Sequence, residues 1–390
     1  MDIKKKITSL KDELIKLRRD FHEHPELGFK EYRTSKIVAN YLDKCGLEVK
    51  RGIAKTGIVG LLKGKYQGPT LLLRADMDAL PIQEENEVPY KSINNGIMHA
   101  CGHDGHTAIL LVAAKILSGY QEEIKGNVKF VFQPDEEVSR GAKMMVKEGV
   151  LENPQVNAAM ALHLWTPLES GKIGITSGLV TANLDAFYLK IKGKGGHTAN
   201  PEKSIDPVIC AANVIQAIQI IQTREIDSLK STVIMFGKVK GGTRSNIIPD
   251  EVSLEGTIRY LYEDKGELEK KFKRIVKAIC KAYRTKYELN FNIENRAVIN
   301  DYDMTKLVKF TAEKLLGNNS NKIRSYISTA GEDFSEFSDI VPSVFYFVGT
   351  GNKEKESHYP HHSSRFNIDE DTMLIGLEIL VRSALEFFNK

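Results

Sequence analysis

Cysteine is scarce. Cys45, Cys101, Cys210 and Cys280 are the only four in 390 residues, and they lie too far apart in sequence for the close pairings of a disulfide scaffold. Long apolar runs are missing too. No stretch reaches the 18 or so uninterrupted apolar residues of a membrane span, and the charged residues 1–6 lead into a helical pattern without the apolar segment of a signal peptide. Nor is one sign of charge in excess. Lys+Arg is 55 against Asp+Glu 51, a net charge of +4, too small and too evenly spread for the concentrated basic face that a nucleic-acid partner requires. Among catalytic signatures there is no G-x-x-x-x-G-K-[ST] phosphate loop, no G-x-S-x-G elbow and no H-E-x-x-H helix. The Gly-Lys-Gly-Gly run at 193–196 lacks the third glycine of a dinucleotide fingerprint. These absences leave a cytoplasmic enzyme or binding protein with neither a nucleic-acid nor a membrane partner.

What is present suits a sizeable core: 42% hydrophobic and 27% charged residues over a length of two or three domains. Leu10, Leu14, Leu17 and Phe21 share a helical face and predict an opening helix ended by Pro25, and Ile37, Val38, Tyr41 and Leu42 a second closed by Gly46. Apolar runs at 57–62, 70–74, 127–132 and 157–164 read as short buried strands, with helical stretches at 107–117 and 140–148 between them. That alternation predicts an α/β layer with a mostly parallel sheet. After about residue 180 the pattern changes to strand 186–192, helix 205–223, strands 232–239 and 252–260, helix 263–284 and strand 287–293. The order β-α-β-β-α-β is that of a ferredoxin-like domain. Strand 343–348 and helix 372–388 then resume the first pattern. The expected organisation is a catalytic domain of residues 1–183 and 297–390 interrupted by an inserted domain of residues 184–296.

The chemistry-bearing residues gather at strand ends. The run His99-Ala-Cys-Gly-His-Asp-Gly-His106 offers a thiolate, imidazoles and a carboxylate, the ligand set of zinc and its neighbours. Gln133-Pro-Asp-Glu-Glu137 follows a strand, and adjacent carboxylates suit metal hydrolysis, since one can ligate while the other takes a proton. His163 closes another apolar run, Asp76 and Asp78 end yet another, and His358, His361 and His362 cluster near the C-terminus. Each alone has a bland reading as a hydrogen-bonded core residue or a solvated loop. Potential ligands at four strand ends of one sheet do not.

With these motifs the chain resembles the amidohydrolase branch of the aminoacylase/carboxypeptidase superfamily of two-metal hydrolases. The match runs through Phe21-His-Glu-His-Pro-Glu-Leu-Gly-Phe29, Leu73-Arg-Ala-Asp-Met-Asp-Ala-Leu-Pro81, Met98-His-Ala-Cys-Gly-His-Asp104 and Phe132-Gln-Pro-Asp-Glu-Glu137. It continues in Gly195-Gly-His197, Asn246-Ile-Ile-Pro-Asp250, Gly256-Thr-Ile-Arg259, Gly331-Glu-Asp-Phe334 and His362 to Phe366. The resemblance implies two divalent metal ions (zinc, manganese, cobalt or nickel) held by Cys101, His103, Glu137, His163 and His362, with Cys101 bridging. Glu136 would be general base and acid. The inserted domain would be a lid and dimerisation domain whose His197 polarises the scissile carbonyl, while Asn246 and Arg259 hold the substrate carboxylate. His22 and His24 match a structural helix end of the family motif and are left out of the ligand set. Asp135 stands where the motif commonly has Ala.

The function implied is hydrolysis of the amide bond of an N-acyl-L-amino acid, N-acetyl, benzoyl or similar, by a metal-activated water, in a homodimer or higher homo-oligomer. The same residues also fit a metallo-carboxypeptidase acting on short peptides, or a deacetylase of the N-acetyl-diaminopimelate kind. A catalytically silent metal-binding protein would need the ligands but neither Glu136 nor His197, and both are present.

Overall fold

Short apolar runs bounded by Gly and Pro bury both faces when they pair in parallel, and this chain builds its central sheet from them. The computed structural model describes residues 3–317 and 321–389, in two compact units. The larger comprises Met1–Val180, Val298–Ile327 and Glu332–Lys390. Its strands β1 (Glu48–Ile53), β2 (Gly57–Lys63), β3 (Tyr66–Asp76), β4 (Lys125–Gln133), β5 (Ala158–Glu169) and β6 (Ile173–Gly174) are joined by Ser343–Gly351 and Ile323–Arg324. The order is β1–β2–β4–β3–β5, then 343–351, β6 and 323–324. β4, β3, β5 and 343–351 run parallel, in registers such as Leu73 with Phe130 and with Met160, and Leu162 with Tyr346. Their carboxyl ends therefore emerge along one edge, where sites in open α/β sheets form.

The fold class is the one the sequence predicts, a mixed sheet with a parallel centre. Strand 70–74 lengthens to 66–76 and helix 107–117 to His103–Ser118, so His103 is the first helical residue. That helix is buried along nearly its whole length by an Ala/Ile/Leu/Val sequence and packs on β3 and β5. The expected opening helix is two, Ile3–Ser9 and Lys11–Glu23. Strand β1 escapes the apolar pattern because it is an edge strand whose residues stay mostly exposed.

The smaller unit comprises Thr181–Ala297 and Ser328–Gly331. Strands Asn183–Lys192, Thr232–Gly241, Glu251–Tyr260 and Lys286–Asn295 with helices Pro207–Ile220 and Glu267–Ala282 give β-α-β-β-α-β. The sheet order is 232–241, 251–260, 183–192, 286–295, antiparallel throughout, so the unit is ferredoxin-like. Phe187, Leu189 and Ile191 alternate inward against Cys210, Val214 and Ile218 of one helix and Phe272, Val276 and Cys280 of the other. Asp206 caps the first helix, accepting from the Val208 N–H at 2.8 Å, ahead of Pro207 at the first turn.

Candidate metal centre

Four segments of the larger unit deliver donor atoms to one place. Gly102 is left-handed (φ 96°) at the start of helix His103–Ser118, a conformation that suits glycine. It turns the chain so that Cys101 and His103 converge. Glu136 and Glu137 follow β4, His163 lies within β5, and His362 sits on the segment after strand 343–351. His362 is itself left-handed (φ 64°), an uncommon state for a non-glycine residue. Its N–H is tied to the Ala100 carbonyl at 2.8 Å, which joins its segment to that of Cys101.

Among the donor trios formed, each with its atoms within 4.8 Å of one another, two contain sulfur: Cys101, His103 and His163, and Cys101, Glu137 and His362. They share the Cys101 thiol. Sulfur and imidazole nitrogen on one tetrahedral zinc lie about 3.5 Å apart at bond lengths of about 2.3 and 2.0 Å, and Cys101 Sγ and His163 Nε2 are 3.6 Å apart. His362 Nε2 lies 3.2 Å from Glu137 Oε2. His103 Nε2 and Glu137 Oε1 are 3.9 Å apart, and both are buried without a hydrogen-bond partner. Buried polar atoms seldom stay unpaired, so these two orphans fit a centre that holds a cation at each trio.

The ring protons agree with that fit. A carbonyl oxygen only accepts, so His103 Nδ1 must donate to the Asp78 carbonyl (3.0 Å) and His163 Nδ1 to the Leu164 carbonyl (2.9 Å). Both rings then turn Nε2 toward the centre, the nitrogen that a cation would take in place of a proton. The Asp78 carboxylate also accepts the Glu137 N–H at 3.1 Å, so a single aspartate aligns two of the prospective ligands. Burial pushes the Cys101 thiol well above its usual range, with the Glu137 charge adding to the shift. A coordinated cation is what reverses such a shift, since a bound thiol is deprotonated outright.

Glu136 belongs to neither of the trios that share Cys101, although its carboxylate also groups with His103 and Glu137. Its Oε2 is 3.9 Å from His103 Nε2. Burial raises its carboxyl well above the carboxylate range, helped by the charges of Glu332, Glu137 and Asp333. A buried carboxyl that readily holds a proton is the property of a general acid–base group.

The remaining predicted residues lie in the smaller unit. His197 and Asn246 stand on a ribbon in which Gly196–His197 pairs with Ile247–Ile248; both side chains are exposed, and His197 Nδ1 accepts the Ala199 N–H at 3.0 Å. Arg259, half-buried on strand Glu251–Tyr260, donates to the Thr257 hydroxyl at 3.1 Å.

A model of peptidase family M20/M25/M40 matches residues 72–386. The chain belongs to that family. It is 38% identical over 393 residues to thermostable carboxypeptidase 2 of Saccharolobus solfataricus, covering 100% of this chain and 98% of that protein. To the N-acetyl-L-cysteine deacetylase of Bacillus subtilis it is 36% identical over 379 residues, covering 97% and 89%. The crystal structure of Bacillus subtilis YXEP, a dinuclear metal binding peptidase from the M20 family, superposes with a TM-score of 0.85 at 31% identity, covering 98% and 99%. This M20 protein is accordingly a metal-dependent hydrolase acting on amide bonds. Among the described residues, no helix is long and apolar enough to cross a membrane.

The M20 centre rests on a buried charge lattice that residue-by-residue reading of the sequence does not supply. Arg74 pairs with Asp76 (2.7 Å), Glu332 and Asp333 (both 3.0 Å) beneath Glu136. Arg18, fully buried, donates to Asp104 (2.8 Å), Asn367 (3.1 Å) and Glu370 (3.2 Å). His22 sits between Asp104 (2.8 Å) and Glu84 (3.1 Å), outside both trios. The signal was available in the Arg-Ala-Asp-Met-Asp and Gly-Glu-Asp-Phe runs, where charges sit in otherwise apolar surroundings.

Proposed function

We propose that the protein hydrolyses the amide bond of N-acyl-L-amino acids carrying an acetyl, benzoyl or similar acyl group. In this reading Cys101, His103 and His163 hold one divalent cation, and Cys101, Glu137 and His362 hold a second. The observation that carries it is the pair of donor trios sharing one thiol, with the orphaned His103 Nε2 and Glu137 Oε1 between them. Cations in such a site supply a Lewis acid for the amide carbonyl and lower the pKa of water from 15.7 to about 7. The thiolate, imidazole and carboxylate donors suit zinc, manganese, cobalt or nickel.

Glu136 takes a proton from the attacking water and returns it to the leaving nitrogen, which would otherwise depart as a very poor anion. Its buried carboxyl, not tied to a ligand position, supports that role. His197 donates to the oxygen on which charge develops. Arg259, with the fork geometry of a guanidinium, pairs with the substrate carboxylate, and Asn246 hydrogen-bonds it. The inserted domain, residues 184–296, acts as a lid, and its exposed apolar edge strand, with Val233, Met235 and Val239, supports a homodimer or higher homo-oligomer. The four free cysteines fit a cytoplasmic location.

The test is a panel of N-acetyl-, N-benzoyl- and N-peptidyl-L-amino acids, each with its carboxyl-amidated counterpart, assayed after reconstitution with each of the four metals. Turnover of acyl-amino acids with a free carboxylate, above that of peptides, supports the reading. Faster turnover of short peptides at the carboxyl end would replace it with a carboxypeptidase.

A further inference from the structure

His106 and Asp76 are buried, and neither belongs to the two trios that share Cys101. Together with His103 they form a donor group of their own, but His106 has no nitrogen to spare for a cation. The Leu164 N–H, which can only donate, points at His106 Nε2 at 2.9 Å. That nitrogen must therefore accept, and the proton resides on Nδ1, which donates to Asp76 Oδ1 at 2.6 Å. Asp76 in turn is fixed by Arg74 at 2.7 Å, and its carbonyl accepts the Thr107 hydroxyl at 2.8 Å.

Leu164 contributes from its other side as well. Its carbonyl accepts both His163 Nδ1–H (2.9 Å) and His361 Nε2–H (3.1 Å). The residue is thus held by one imidazole through its N–H and holds two others through its carbonyl. His163 is a prospective ligand and His361 precedes another. The His361 ring is clamped between Trp165 (ring centroids 4.2 Å apart) and His163 (5.3 Å). A backbone group dictates the role of one nitrogen in each ring: His106 Nε2 accepts, while His163 Nδ1 and His361 Nε2 donate.

We propose that His106, backed by Asp76, is a positioning residue: by anchoring the backbone at Leu164 it fixes the rotation and tautomer of His163, and so tunes the cation held on the His163 side more than that on the His362 side. Groups that orient a metal ligand from behind typically change metal affinity 10–100-fold when removed. This inference rests on the two-cation reading given above.

The test is a Co(II) titration of the metal-free protein, followed by calorimetry and by the thiolate and d–d absorption bands, for wild type and His106→Phe. Control titrations of His163→Ala and His362→Ala identify which binding step belongs to which side. The step lost in His163→Ala should weaken by about 10–100-fold in His106→Phe, while the step lost in His362→Ala stays where it is. His106→Gln, whose amide can accept from Leu164 N–H and donate to Asp76, should recover most of the affinity. With both ions loaded, His106→Phe should lower kcat and leave KM nearly unchanged. Equal weakening of both steps, weakening of neither, or a glutamine variant no better than phenylalanine would overturn the proposal. If His106→Phe does not fold, Asp76→Asn, which keeps the shape but weakens the acceptor, is read by the same two-step criterion. A wild-type protein that takes up fewer than two Co(II) ions removes the two-cation reading itself, a result distinct from any of these.

Discussion

Replacing Glu136 with Gln keeps the shape of the side chain but removes its ability to take a proton. Because Glu136 lies outside both trios, the ligand set is left whole. The neighbouring Glu332 and Asp333 charges already disfavour the carboxylate, so a neutral amide relieves repulsion and the melting temperature should not fall. General acid–base catalysis contributes about 10²–10⁴ in rate, or roughly 2.7–5.4 kcal/mol at 1.36 kcal/mol per factor of ten. The expected Glu136→Gln enzyme therefore keeps its metal content and substrate affinity and loses kcat by that factor. Glu137→Gln should behave otherwise: its carboxylate lies 3.2 Å from His362 Nε2, and its loss should empty one cation position. Initial rates on an N-acetyl amino acid, metal content by mass spectrometry and substrate binding by calorimetry separate the two variants. A metal-replete, inactive Glu137→Gln beside a metal-poor Glu136→Gln would refute the reasoning and exchange the two roles.

Three further outcomes are expected. Arg18→Met strands the buried Asp104 carboxylate next to His22, and breaking a buried pair from one side costs about 3–5 kcal/mol; a urea midpoint unchanged from wild type would contradict this. Burial pushes the Glu31 carboxyl up to about 7, so the folded state retains a proton that the unfolded chain releases near its usual pKa. The Glu31 contribution to stability should accordingly fall as pH rises from about 4 to 7, and the stability of Glu31→Gln relative to wild type should improve over that window by up to roughly 3 kcal/mol; a difference independent of pH between 4 and 8 would refute it. In the smaller unit, His197→Ala should lower kcat by about 10²–10³, or 2.7–4 kcal/mol, with little change in KM. Arg259→Ala should instead raise KM for free acids and erase their preference over substrate amides, and near-normal kcat in His197→Ala would withdraw the proposed donor role.

The fold was legible because its buried strands carry a strong signal. Leu71 to Leu73 and Phe130 to Phe132 are apolar on both faces, as parallel strands require, and the period changes after residue 180 as the ferredoxin-like unit begins. Strand β1 was not, since an exposed edge need not be apolar. The residues of the two trios were legible as chemistry, because Cys, His and Glu near strand ends are a ligand vocabulary, although His163 lies within β5, which runs on to Glu169, and does not close it. Their arrangement was carried by the family resemblance. His106 and Asp78 were visible as polar residues near those ends, but their bonds run to the backbone N–H groups of Leu164 and Glu137, and a backbone partner leaves no mark in the sequence. Arg18 was hidden for a related reason, since its carboxylate partners at 104 and 370 are remote in the chain, and of the partners of Arg74 only Asp76 is near in sequence.

The central claim is that one thiol serves two cations, and metal stoichiometry tests it directly. Metal-free wild type reconstituted with Mn(II) or Zn(II), dialysed and analysed by mass spectrometry, should hold two ions per chain. Cys101→Ala removes the atom common to both trios and should hold fewer than two, while its thermal unfolding without metal stays close to wild type. Two ions retained in Cys101→Ala would contradict the shared thiolate.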